Sequence, residues 1–192
     1  MRIAPALALM LWAGGAQAQV VLEIPEQTPP GYPPKLGAAE GIMGGERVMW
    51  EFFDFSVGAF DASAWVDSDW NTKAVSFHLI GYVPKEPEEM RFRLRVVGGF
   101  GTAFHVGAAE APVVEVLKGP EIDGPRLTSQ GHPAEVVIES IGPKEENSYL
   151  RHVTGRISAH VCPKDWLFRS CKDISLRFET DVQMGSEVPV KE

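Results

Sequence analysis

Between Lys172 and Gln183 apolar and polar side chains alternate without a break. Ile174, Leu176, Phe178, Thr180 and Val182 fall on one parity, and Asp173, Ser175, Arg177, Glu179 and Asp181 on the other. Successive side chains of a strand point to opposite faces, so a period of two predicts a strand with one face in a core and one in water. Residues 150–161 repeat the pattern, with Val153, Gly155, Ile157, Ala159 and Val161 set against Thr154, Arg156, Ser158 and His160. A third strand is predicted over residues 135–141.

Further upstream the signals change character. Residues 48–57, VMWEFFDFSV, are apolar on both parities, which predicts a central strand buried on two faces. Phe60, Ala62, Ala64 and Val66 then alternate with polar neighbours, DSDWNTK supplies turn formers, and Val75, Phe77 and Leu79 alternate again, so a hairpin is expected. Phe92, Leu94 and Val96 stand against Arg91, Arg93 and Arg95, the mark of a solvated sheet face. Residues 98–133 are dense in Gly and Pro around one strand candidate, residues 113–117. A compact domain rarely holds so long a structureless loop, so short strands and turns, or a functional loop, are expected there. No heptad, helical stripe or internal repeat is present. The chain therefore reads as all-β, an antiparallel β-sandwich or small β-barrel of about seven or eight strands.

The start of the chain bears on compartment. Met1-Arg2 precedes an apolar run from Ile3 to Ala13 and a small-residue end, Ala16-Gln17-Ala18, a pattern that predicts a secretory signal peptide over residues 1–18 and a periplasmic or secreted protein. The run is well short of the ~20 residues that a membrane-spanning helix takes, so no transmembrane anchor is expected. Residues 19–45, with TPPGYPPKLG, read as a Pro/Gly-rich arm or linker, residues 46–184 as a single β domain, and residues 185–192 as a flexible tail. The formal charge of −8 disfavours nucleic acid and anionic membrane surfaces as partners.

Chemistry enters through Cys162 and Cys171, the only cysteines. In an oxidising compartment two cysteines at the mouth of a hairpin loop default to a disulfide that fixes strand register. Redox catalysis would call for close C-x-x-C spacing and a lowered thiol pKa, and metal binding for free thiolates. Between the cysteines, Trp166, Leu167 and Phe168 form either a contact for a ligand, membrane or partner, or a cap on the barrel end. His152 and His160 share a strand parity but lie ~26 Å apart along it, so they do not share a metal. His78, His105 and His132 fall on separate elements. Asp67, Asp69 and Asn71 match the opening of a calcium loop, but Thr72 stands where its glycine belongs and His78 where its glutamate belongs. The acids Asp54, Asp61 and Glu110 are the candidates for a carboxylate pair of the kind that cleaves glycosides. No nucleophile elbow, zinc-protease motif, phosphate loop or dinucleotide fingerprint accompanies them, and no cofactor is implied.

Two fragments, HPAEVVIES from His132 and VTGRISAH from Val153, resemble the periplasmic polyisoprenoid-binding, lipocalin-like barrels, in which a Tyr-Pro or similar pair opens a strand and a later TG strand ends in histidine. The resemblance implies an up-and-down barrel around a long apolar ligand. The chain departs from that pattern in continuing VCPKDW after His160, and in carrying KGPEIDGPRLTSQG where an amphipathic helix belongs. The reading that follows is an exported, non-enzymatic β domain that binds a small apolar ligand or an envelope protein. A lipocalin-like carrier, suggested also by Trp50, Phe52, Phe53 and Phe55 and by the loop tip at Trp166 and Phe168, is the first alternative, set against plain core packing of those aromatics, and a carboxylate-based hydrolase is the second.

Overall fold

The computed structural model describes residues 33–55, 62–83, 92–118, 127–144, 148–163 and 170–191. The expected signal segment, most of the Pro-rich arm, Asp61, and Trp166, Leu167 and Phe168 lie outside the described residues. Every regular element among the described residues is a strand. In chain order they are β1 (Lys35–Met43), β2 (Glu46–Phe53), β3 (Ala64–Ser68), β4 (Val75–Tyr82), β5 (Phe92–Gly99), β6 (Phe104–His105), β7 (Gly107–Ala108), β8 (Glu110–Lys118), β9 (Leu127–Thr128), β10 (Ala134–Ile141), β11 (Leu150–Pro163), β12 (Lys172–Met184) and β13 (Val190–Lys191).

The fold is all-β, a mixed eleven-stranded sheet that partly closes on itself. Its spine is the long hairpin β11–β12, paired from Leu150↔Gln183 to Val161↔Lys172. The free edge of β12 takes β1 along most of its length and then β3, in parallel, at Gln183↔Trp65 and Met184↔Val66. The free edge of β11 takes β10 and then, at Cys162↔Thr128, β9. Antiparallel pairs β3–β4, β4–β5, β5–β8 and β8–β9 complete the circuit. Each long strand thus changes partner near one end, which is how a twisted sheet turns a corner onto a second layer.

Phe77 lies at the centre of the core. Its ring stacks at 6.0 Å on Phe178 and 5.9 Å on Phe104, with Phe100 edge-on at 6.5 Å. Around these rings pack Leu79, Leu94, Val96, Val114, Ile138, Ile157 and Leu176, all buried. The inward parities expected for β3, β4, β5, β11 and β12 are the buried ones.

The structure departs from the sequence reading in four places. First, residues 35–43, read as the end of an arm, form β1, hydrogen-bonded on both edges. Its glycines look like breakers but mark close approach: a Cβ on Gly37 would collide with the backbone of Glu179 and Thr180 on β12. Gly44 and Gly45, at φ 58° and 87°, form the two-residue turn into β2, a conformation that glycine adopts without strain. Second, β2 is not central. It pairs along its length with β1 and bridges to the β4 backbone at Glu51↔Tyr82. Its second apolar parity is explained by a local cluster in which Phe55 lies 5.5 Å from Tyr82 and 6.3 Å from Phe53. Third, residues 98–133 contain β6, β7, β8 and β9. Strand β8 extends well beyond the expected residues 113–117, and the β5–β8 register slips between Val97 and Gly99. That bulge, with Ala111 at φ 43° beside Pro112, breaks the alternation that would have announced the strand. Fourth, the expected flexible tail is tied down, because Val190 and Lys191 pair with Phe104 and His105, and Val188 and Val190 pack against the core.

Candidate functional site

The corner where β11 leaves β10 and meets β9 brings together His132, His160, Asp173 and both cysteines. Cys162 and Cys171 are joined there, with Sγ–Sγ 2.04 Å and Cα–Cα 4.2 Å, as the spacing led one to expect. His160 sits two residues before Cys162 on the same parity. Register pairs it with Asp173, and its Nδ1 lies 2.7 Å from Asp173 Oδ1. His132 arrives from the other side of the strand. The turn of Ser129 to His132, closed by the His132 N–H donating to the Ser129 carbonyl at 2.8 Å, leads into β10, and the His160 N–H donates to the Pro133 carbonyl at 2.9 Å. The imidazoles of His132 and His160 therefore meet edge to face at 5.6 Å. One ring nitrogen of each and Cys162 Sγ lie within 4.8 Å of one another.

Sequence reasoning found the bridge and missed His132. The signal was the hairpin itself: β10 and β11 are consecutive antiparallel strands, so the start of one must lie beside the end of the other. What was missing was the register, which depends on an irregular connection and on a bulge between Ile138 and Ser140.

The bridge spans a short loop, so chain-entropy reasoning assigns it ~2–3 kcal/mol. The double variant Cys162→Ser/Cys171→Ser is expected to melt about 5–10 °C lower than the oxidised protein. Equal melting temperatures would show that the bridge adds nothing.

The remaining candidates are dispersed. His152, on the outer face of β11, bridges Asp181 through Nδ1 at 3.0 Å and Glu179 through Nε2 at 3.1 Å. His105 bonds its neighbour's carbonyl, with Nδ1 2.9 Å from the Val106 oxygen. In the proposed calcium loop Asp69 is occupied by the turn: its Oδ1 accepts the amides of Asn71 at 3.0 Å and Thr72 at 2.7 Å and the Thr72 hydroxyl at 2.9 Å. Those donors, led by the Thr72 amide, hold the Asp69 carboxyl below its ordinary pKa. Asp67 instead faces His78, 3.4 Å from its Nε2. Of the acids considered for hydrolysis, Asp54 follows β2 and Glu110 opens β8, strands that do not pair with each other.

His78 is a pH-sensitive element. Its ring stacks on Trp65 at 4.7 Å and 4°. Burial lowers its pKa below 6.5, against the partly offsetting charge of Asp67. The unfolded chain then binds the proton more readily, so stability falls as pH drops below 6.5 through the folded pKa. Replacing His78 with Phe, which keeps the stack, is expected to flatten this dependence. Melting temperatures of both proteins at about pH 7.5 and about pH 5 check it. A gap between them that does not change with pH would exclude the effect.

Together the fold and the corner define the class: a disulfide-stapled all-β domain with a partly closed sheet and a histidine pair beside the staple. No family model, curated protein or solved structure matches the chain. Among the described residues no helix is long and apolar enough to cross a membrane.

Proposed function

We propose that this chain is an exported, non-enzymatic domain that acts by binding an envelope protein through its surface. The observation that carries the reading is how the interior is used. The space between the sheet layers is taken by Phe77, Phe100, Phe104 and Phe178, packed ring on ring, and Trp50 and Phe52 are buried in the same core. Side chains so packed leave recognition to the outside of the domain. The disulfide supports a destination where thiols oxidise, and the apolar start of the chain is the means of reaching it. Large apolar side chains stand in water at Trp70 and Tyr149, 77% and 72% exposed, and the loop bearing Trp166, Leu167 and Phe168 is the contact element that the sequence nominates.

The test is photo-cross-linking in living cells, with the reactive residue placed at Phe168, Trp70 or Tyr149 of the exported protein. The expected result is a discrete protein adduct from at least one position and none from the buried control position Leu79. Absence of adducts at all three, or turnover of glycosides or esters by the purified protein, would overturn the reading.

A further inference from the structure

The bridge corner holds more than a staple requires. A structural disulfide needs two sulfurs, yet here two imidazoles converge on one of them. His160 is oriented by Asp173 at 2.7 Å through Nδ1, and a ring nitrogen held in this way leaves the other free to bind a metal. We propose that, once the bridge is reduced, Cys162, Cys171, His132 and His160 form a Cys2His2 site for a zinc-like divalent ion.

Two thiolates and two neutral imidazoles are the donor set of closed tetrahedral zinc sites. Bond lengths of about 2.3 Å to sulfur and about 2.0 Å to nitrogen place such donors ~3.5 Å apart. The His132, His160 and Cys162 donor atoms already lie within 4.8 Å of one another, so closing the set takes movements on the order of 1 Å. The Cys171 sulfur, at 2.04 Å from that of Cys162 while the bond lasts, is released beside it. A carboxylate on the far nitrogen of a liganding histidine fixes its tautomer and raises its basicity, and Asp173 holds that place. The backbone supports the arrangement independently, because the His160 amide on the Pro133 carbonyl pins the His132 turn against β11.

The chemistry balances simply. A dithiol donor gives two electrons and two protons to the bridge and leaves as its own disulfide, and the bridge becomes two thiols. The divalent ion then displaces both thiol protons and binds the two thiolates and two imidazoles. With the bond intact neither sulfur is a thiolate, so the oxidised chain offers only the histidine pair. The corner is thus a switch between a covalent staple and a metal staple at the same point of the fold. This inference stands apart from the proposed surface binding.

The experiment uses the full chain, oxidised or reduced with dithiothreitol and freed of it under anaerobic conditions, titrated with Co2+ alone and then with Zn2+ in competition. The reduced protein is expected to bind one Co2+ with sulfur-to-metal charge transfer and tetrahedral visible bands, on the order of 100-fold more tightly than the oxidised protein. His132→Ala with His160→Ala should abolish the tetrahedral spectrum, and Asp173→Asn should weaken binding by about 10–100-fold without changing its form. The Cys162→Ser/Cys171→Ser protein, unstapled but without thiolates, separates loss of the staple from loss of ligands and should give no sulfur band. Should reduction loosen the fold, Zn2+ is expected to restore the oxidised protein's circular dichroism. The proposal falls if the reduced chain shows no sulfur-ligated Co2+, or if removing both histidines leaves the spectrum and affinity unchanged.

Discussion

Replacing Phe77 with Ala is expected to cost about 3–5 kcal/mol and to lower the melting temperature by about 10 °C or more. The ring is wholly buried and serves three others, stacked on Phe104 and Phe178 and met edge-on by Phe100. Truncation removes its own burial and leaves a cavity in a place that three large rigid rings cannot easily fill. Aromatic pairs add about 0.5–1.5 kcal/mol each beyond the area they bury. Denaturant unfolding of the oxidised protein measures the loss, with Trp70→Ala, at a fully solvated turn, as a control expected to change stability by less than about 0.5 kcal/mol. A Phe77→Ala loss below about 1 kcal/mol would mean that the described core is not the one that holds the domain together.

Gly155→Val is expected to be at least as damaging, preventing accumulation of folded protein or costing at least about 3 kcal/mol. Gly155 is paired with Phe178 in the β11–β12 hairpin, on the inward parity of β11. A Cβ there would stand 2.5 Å from Phe178 Cζ and would also strike the Val137 carbonyl of β10. A flexible side chain would yield, but the Phe178 ring is itself packed on Phe77 at 6.0 Å, and the carbonyl belongs to a hydrogen-bonded ladder. Gly155→Ala tests the same contact more gently. Combining it with Phe178→Leu should recover part of the loss, a coupling of about 0.5–3 kcal/mol that simple additivity would not give.

These two positions also show what could be read from the chain and what could not. Phe77 and Phe178 announced themselves as inward by alternation, and the strands that carry them lie where that pattern put them. Gly155 was on the inward parity for the same reason, but its purpose, making room for a ring on the neighbouring strand, belongs to the pairing and not to the pattern. Strand β1 was hidden by the same physics, since its glycines exist to let two backbones approach. Strand β8 was half hidden because a bulge at Gly98 and Gly99 and a proline within the strand interrupt the period. The site divides the same way. The bridge follows from two cysteines and their spacing, whereas the meeting of His132 with His160 follows from register, which alternation leaves free. The conformation of Asp69 at the β3–β4 turn shows the reverse case: a calcium-like run of acids was legible, and the structure gives its central carboxylate to the turn's own donors.

The central claim, an exported domain stapled at its corner and solid within, is tested most directly by native mass spectrometry. The full precursor would be produced with access to a periplasm, purified gently, and weighed before and after organic extraction and reduction. The account predicts a chain that starts at Gln19, is two hydrogens lighter than its reduced form, and loses no mass on extraction. A chain that retains residues 1–18 with two free thiols would contradict export and staple together. An extractable adduct of about a few hundred daltons would contradict the solid interior and make the protein a carrier.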